Sequence, residues 1–272
     1  MATRRRELRS TAWAAILSAL FALALASPAP GQIYFGISPI RAEHRIMPGE
    51  SLTDVFEIRN SAAGPIRIKV YIENWIILPT GTPSFIGSTP TPYSCKDWIV
   101  VNPQDFRLNP GETRSVRYTV TVPAETPSAG YHASVSFETV PETAGAQSGS
   151  RMLFTGKIAA VVYVIAGRPV IEGDLLELTI GIKEGAQAVV LALENTGRTH
   201  FRTKGTLRVF NASGEKVADV PLPDDILLPE SKKDVACGLP KPLEPGTYRV
   251  ICTLDIGRPE LIEMERTLEV VK

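Results

Sequence analysis

The chain has 272 residues with 29 basic and 29 acidic side chains, 44% hydrophobic residues and three cysteines. It has no basic excess to engage phosphates, which excludes nucleic-acid binding as its main role. Its length and apolar content are enough for two domains with cores of ordinary size.

At the N-terminus, Arg4, Arg5, Arg6 and Arg9 precede an apolar run from Ala12 to Ala26. Ala24-Leu25-Ala26 closes that run with small residues at the two positions a signal peptidase reads. This is the pattern of a secretory signal over residues 1–26, too short and wrongly flanked for a membrane span. Thr3 to Arg9 also partly matches a twin-arginine signal, with Glu7 where that pattern wants an apolar residue. Removing the signal leaves 25 basic against 28 acidic residues. No later apolar run approaches the roughly eighteen residues of a membrane helix, so the exported chain is expected to be soluble.

From Ile33 onward the chain reads as strand after strand. Ile33 to Ile46 is a first strand interrupted at Ser38-Pro39, where proline forces a kink or an edge position. Leu52 to Arg59 follows the Pro48-Gly49 turn and ends at Asn60. Ile66 to Trp75 alternates cleanly: Ile66, Ile68, Val70 and Ile72 on one face, Arg67, Lys69, Tyr71 and Glu73 on the other. That is the signature of a half-buried strand in an antiparallel sheet. Pro79 to Ser94 reads as a loop, Trp98 to Val101 as a short apolar strand, and Phe106 to Glu112 as the approach to a turn. Arg114 to Val122 and Gly130 to Val140 are further strands.

A loop of small residues, Ala144 to Ser150, then leads into the apolar, β-branched stretch Arg151 to Gly167. This reads as a long strand with Met152, Phe154, Gly156, Ile158 and Ala160 on one face. Seven or so short strands with turn signals between them point to an antiparallel sandwich of the immunoglobulin type. Arg168-Pro169 marks a boundary, and a second set of seven strands runs from Leu175 to Val271. The expected organisation is all-β: a signal over 1–26, one immunoglobulin-like sandwich over 27–169, and a second over 170–272.

No motif for catalysis stands out. His44, His132 and His200 are far apart and lack a second ligand at metal spacing, and the nucleophile-elbow, phosphate-loop and zinc-protease patterns are absent. Neither an enzyme nor a cofactor is expected. Cys237 and Cys252 flank a Pro/Gly-rich turn in a chain bound for an oxidising compartment, and either pair as a disulfide or stand as two buried thiols. Cys95 is left over and is not expected to be a nucleophile.

Several of these features together resemble the periplasmic pilus and fimbrial assembly chaperones. They are Ser38-Pro39-Ile40-Arg41 through Pro48-Gly49-Glu50, the strand ending at Asn60, Glu73-Asn74-Trp75, and the Pro110-Gly111 turn into Arg114 to Val120. The Tyr-bearing strand Tyr131 to Glu142 and the apolar last strand ending in Arg168-Pro169 complete the pattern. The resemblance covers roughly residues 33 to 170 and rests on architecture alone beyond that.

The resemblance implies a periplasmic protein that lends its last first-domain strand, residues 151–161, to an exported pilus-type subunit by strand addition. It implies Met152, Phe154 and Ile158 as the side chains that fill the subunit's groove. It also implies a basic pair that grips the subunit's terminal carboxylate. Arg41 and Arg45 are the candidates on the first strand and Lys157 on the last, where Ala159 stands at the family's second basic position. An outer-membrane usher is the other partner the resemblance brings with it. The rival reading is a non-catalytic envelope or adhesion module of tandem sandwiches.

Overall fold

The computed structural model describes residues 35–78, 81–141, 155–183 and 185–271. The export signal expected over 1–26, and Met152 and Phe154, lie outside the described residues. Ten strands build the first sandwich: β1 Phe35–Ser38, β2 Arg41–Ile46, β3 Ser51–Asn60, β4 Ile66–Ile77, β5 Pro83–Gly87, β6 Ile99–Asn102, β7 Asp105–Leu108, β8 Thr113–Thr121, β9 Ala129–Val140 and β10 Lys157–Ala166. One sheet runs β1-β3-β8-β6. The other runs β2-β10-β9-β4-β5, with β7 also paired to β4.

The alternation of Ile68 and Val70 on β4, and of Val116, Tyr118 and Val120 on β8, turns those side chains into the space between the sheets. Phe56 stacks on Tyr118 there at 4.5 Å between centroids, and Phe137 meets Phe56 edge-on at 5.8 Å. The interruption at Ser38-Pro39 is where the chain crosses between sheets. β1 pairs antiparallel with β3, whereas β2 pairs parallel with β10. Proline carries no N–H for a ladder, so the crossing loses no bond there. The β2–β10 pair is the exception to an otherwise antiparallel set of strand pairs among the described residues.

Nine strands make the second sandwich: β11 Asp174–Lys183, β12 Ala186–Asn195, β13 Phe201–Arg202, β14 Lys204–Phe210, β15 Lys216–Pro221, β16 Ile226–Leu227, β17 Ser231–Gly238, β18 Gly246–Asp255 and β19 Ile262–Val270. They form β11-β12-β17, β15-β14-β18-β19 and the short pair β13-β16, closing on Leu178, Leu191, Leu207 and Val250. Cys237 and Cys252 both stand in this core as buried free thiols, and Cys95 is buried in the first. Burial pushes the Cys252 thiol up to about 12, with Cys237 beside it adding to the rise.

Both sandwiches carry the same two local devices. Tyr131 at the start of β9 donates to Pro127 O at 3.1 Å, and Tyr248 at the start of β18 donates to Glu244 O at 2.9 Å. A tyrosine pinning the backbone four residues upstream is a hallmark of immunoglobulin-type corners. Asn60 and Asn195, which end their strands, are fully buried plugs. Asn60 Nδ2 donates to Gly64 O and Leu108 O, and Ala62 N donates to its Oδ1. Asn195 repeats the set with Thr199 O, Leu227 O and Gly197 N.

The sequence reading is corrected in three places. Pro79 to Ser94 is not all loop, because β5 lies within it, paired with β4 beyond an irregularity at Asn74 and Trp75. The stretch expected to approach a turn contains β7, and the two-residue strands β13 and β16 have no periodic signal at all. In each case the strand is too short, or too rich in Pro, Gly and Ser, to show alternation.

Candidate functional site

β10 is flanked unequally along its length. Its antiparallel register with β9 runs its whole length, from Lys157 opposite Glu138 to Ala166 opposite Ala129. Its parallel register with β2 begins only at Val161, opposite Arg41, where Val161 N donates to Ile40 O at 3.0 Å. Backbone groups along a strand alternate in direction. Val161 faces β2, so the N–H and C=O of Lys157 and Ala159 face the same way, toward an edge that no described strand covers. Ile158 and Ala160 face β9 in turn. Ile158 and Ala160 also point their side chains into the first core, which is the face the sequence assigned to Met152, Phe154 and Ile158.

Lys157, on the opposite face, is already engaged. Its ammonium pairs with the carboxylate of Glu73 on β4, whose side chain is only 8% exposed. It lies 4.8 Å from the Phe85 ring centroid and 5.5 Å from that of Tyr71. Glu73 also accepts from Ser136 on β9, and Tyr71 donates to Glu138 at 3.0 Å. Burial pulls the Lys157 ammonium down, but the hydrogen bond and charge of Glu73, with Tyr71, more than offset that and leave it above the ordinary lysine value. Lys157 is thus the partner of an internal carboxylate.

The arginines of β2 lie elsewhere. Arg41, Glu43 and Arg45 share the outer face of β2, with Arg41 and Arg45 roughly 13 Å apart along the strand. Lys157 stands four residues before the position opposite Arg41, again roughly 13 Å away, so Arg41 and Lys157 do not converge. What meets Arg41 comes from the second sandwich. Arg41 and Arg202 both reach Asp224, at 3.7 and 2.6 Å. Hydrogen bonding from Arg202 holds the Asp224 carboxyl below the usual carboxylate range, and the Arg41 and Lys204 charges add to it.

These arginines line an open cavity of about 630 Å³ with Pro39, Ile40, Val161, Tyr163 and Ile226. Ile40 is 67% exposed there. Nothing in the local sequence around Arg202 marks it; the topology alone brings it to β2.

The floor of this cleft is the joint between the sandwiches. Trp75, Tyr163, Ile226 and Leu228 form one buried cluster. Gly130 N donates to Arg198 O at 2.8 Å, and Tyr93 donates to Glu230 at 2.6 Å. His200 Nε2 lies 3.4 Å from Glu43 Oε1, an ion-pair contact rather than an aligned hydrogen bond. His200 lowers the Glu43 carboxyl against the effect of burial, with Arg202 and Arg41 helping. His132 stacks edge-on against Trp75 at 5.2 Å, and burial holds its imidazole down to about 4. No group of His, Cys, Asp and Glu able to hold a metal occurs among the described residues. No helix among them is long and apolar enough to cross a membrane.

No protein-family model matches the chain, and no curated protein matches it. Solved structures similar to it are fimbrial chaperones. One comes from work on a chaperone–tip adhesin complex in CFA/I fimbriae biogenesis: 17% identical, TM-score 0.47, covering 86% of this chain and 98% of that one. A second is the class 5 fimbriae chaperone CfaA, 18% identical, TM-score 0.45, covering 87% and 100%. A third is from the CsuC–CsuE chaperone–tip subunit pre-assembly complex of Acinetobacter baumannii Csu pili, 15% identical, TM-score 0.43, covering 84% and 97%.

Proposed function

We propose that this protein is a periplasmic chaperone that binds exported fimbrial or pilus-type subunits by strand donation from residues 151–161, of which Lys157 to Val161 belong to β10. The observation that carries this reading is the one-sided pairing of Lys157 to Ala160 among the described residues, which turns the N–H and C=O of Lys157 and Ala159 toward an edge that no described strand covers. An incoming strand would cover that edge, and strand addition at a sheet edge needs no ATP and no catalytic group. By sequence alternation Met152 and Phe154 share a face with Ile158, whose side chain packs against the protein's own core, so in this reading they are the side chains that would fill the groove of the subunit.

A carboxylate at the end of such a subunit would enter the cleft beside Ile40 and meet Arg41 and Arg202. Guanidinium groups suit that role because they bind carboxylates in bidentate geometry. Lys157, committed to Glu73, is not part of that site in this reading, and Arg45 lies too far along β2 to share one carboxylate with Arg41. An outer-membrane usher would receive the loaded complex.

The test is affinity capture of tagged mature protein from periplasm, wild type against Phe154→Asp. A small β-rich exported protein should co-purify stoichiometrically with the wild type and vanish with the variant, while circular dichroism shows the variant folded. Capture of the same subunit by both forms, or by neither, refutes strand donation.

A further inference from the structure

Lys157 to Ala160 pose a physical problem. Among the described residues they have a neighbour on one edge only, and every other residue of β10 is flanked on both sides. Strand ends bonded along one edge fray, because few bonds hold each fixed backbone. Yet the structure holds these four residues in register with β9.

What holds them is a set of side chains across the outer face of the sheet. Glu73 on β4, Ser136 on β9 and Lys157 on β10 join three neighbouring strands through one carboxylate. Ser134 donates to Glu73 O at 3.1 Å, and Tyr71 with Phe85 cover the ammonium. The carboxylate is buried and therefore needs its counter-charge, and the ammonium can reach it only when Lys157 is in the sheet and turned outward. A one-residue slip of this end would put Lys157 into the core and Ile158 outside.

We infer that the Glu73–Lys157 pair is a positioning clamp. It pins the start of β10 and fixes which faces Lys157 and Ile158 present, keeping that edge extended and ready for a partner. Its use in presenting a strand rests on the chaperone reading above; its existence as a clamp does not. Preordering an edge in this way lowers the ordering cost a partner strand would otherwise meet on binding.

Hydrogen–deuterium exchange on the mature protein alone tests this. Lys157→Met by itself strands a buried carboxylate and endangers the fold, so the informative form is the double variant Glu73→Gln/Lys157→Met, which removes both charges together. The amides of Ile158 and Ala160, which face β9, are expected to exchange at least about tenfold faster in it, while those of Val162 and Val164 stay as slow as in the wild type. Lys157→Arg alone, which keeps the charge pair with Glu73, should leave the exchange of Ile158 and Ala160 as slow as in the wild type.

If all four amides speed up together, the pair merely stabilises the sandwich and the clamp is wrong. If none changes, it is wrong as well. This assay contains no subunit, so its outcome is separate from that of the capture experiment. Local fraying in a protein that captures nothing would keep the clamp and remove the donated strand.

Discussion

The two buried asparagines show how much one side chain can decide. Asn60 satisfies two carbonyls and one amide that would otherwise be left without partners inside the first sandwich, and Asn195 does the same in the second. Asn60→Ala should cost about 2–3 kcal/mol in urea denaturation, because the groups left behind stay buried. Asn211→Ala, which opens a similar turn at an exposed site, should cost under about 1 kcal/mol. Equal losses at the two sites would mean that burial is not what gives Asn60 its weight.

His132 is the residue whose protonation matters most. Its folded value of about 4 lies below the ordinary histidine value, so the unfolded chain takes up its proton first as pH falls. The stability it contributes is therefore complete above about pH 6.5 and is lost progressively down to about pH 4, an effect on the order of 3 kcal/mol. Glu43, Asp105 and Asp224, held low by basic partners, lose their contributions only at lower pH. His44, lowered by burial, adds to the slope in the His132 window. His132→Phe should remove most of the stability difference between pH 7 and pH 5, and an unchanged difference would locate the sensitivity elsewhere.

Among the elements, β10 has two unlike edges near its start, and its alternation separates them residue by residue. The amide of Ala159 faces the open edge, whereas that of Ala160 faces β9. Ala159→Pro removes a donor that the sandwich itself does not use, so it should cost no more than about 1 kcal/mol while abolishing capture of a subunit. Ala160→Pro breaks a ladder bond and should destabilise the protein by about 3 kcal/mol. If Ala159→Pro captures a subunit as well as the wild type, the open edge is not where the partner binds.

Much of this level was legible in the sequence, and for definite reasons. Ile66 to Ile72 and Val116 to Val120 alternate because one face of each is buried and the other wet. The strand read as ending at Asn60 ends there in the structure too. What escaped was whatever depends on distant partners. The pairing of Lys157 with Glu73 did not show, because Glu73 lies on another strand whose place in the sheet the sequence does not display. Arg202 drew no notice for the same reason, and β5 was hidden by Pro83 and Gly87.

At the scale of the molecule, the joint between the sandwiches is built by close backbone approach. A Cβ on Gly130 would meet Thr199 Oγ1 at 2.6 Å and His200 N at 3.0 Å. No rotamer relieves a clash with a backbone nitrogen, so Gly130→Ala should pry the sandwiches apart and break the Gly130–Arg198 bond. Small-angle scattering is expected to show a wider or more variable molecule while the cores of both sandwiches keep their near-ultraviolet dichroism. Unchanged scattering would mean that the joint yields locally instead.

The parallel pairing of β2 with β10 also has a mechanical meaning. From Val161 to Ala166 the strand is gripped along both edges, by β2 on one side and β9 on the other. Traction applied to the chain before Lys157, along the strand axis, would load all of those bonds in shear at once. A second strand lying along Lys157 to Ala160 could instead be peeled away crosswise, rupturing its bonds singly. The same strand is therefore stiff toward the molecule that owns it, and a strand laid along its open end would unzip from it without pulling the sandwich apart.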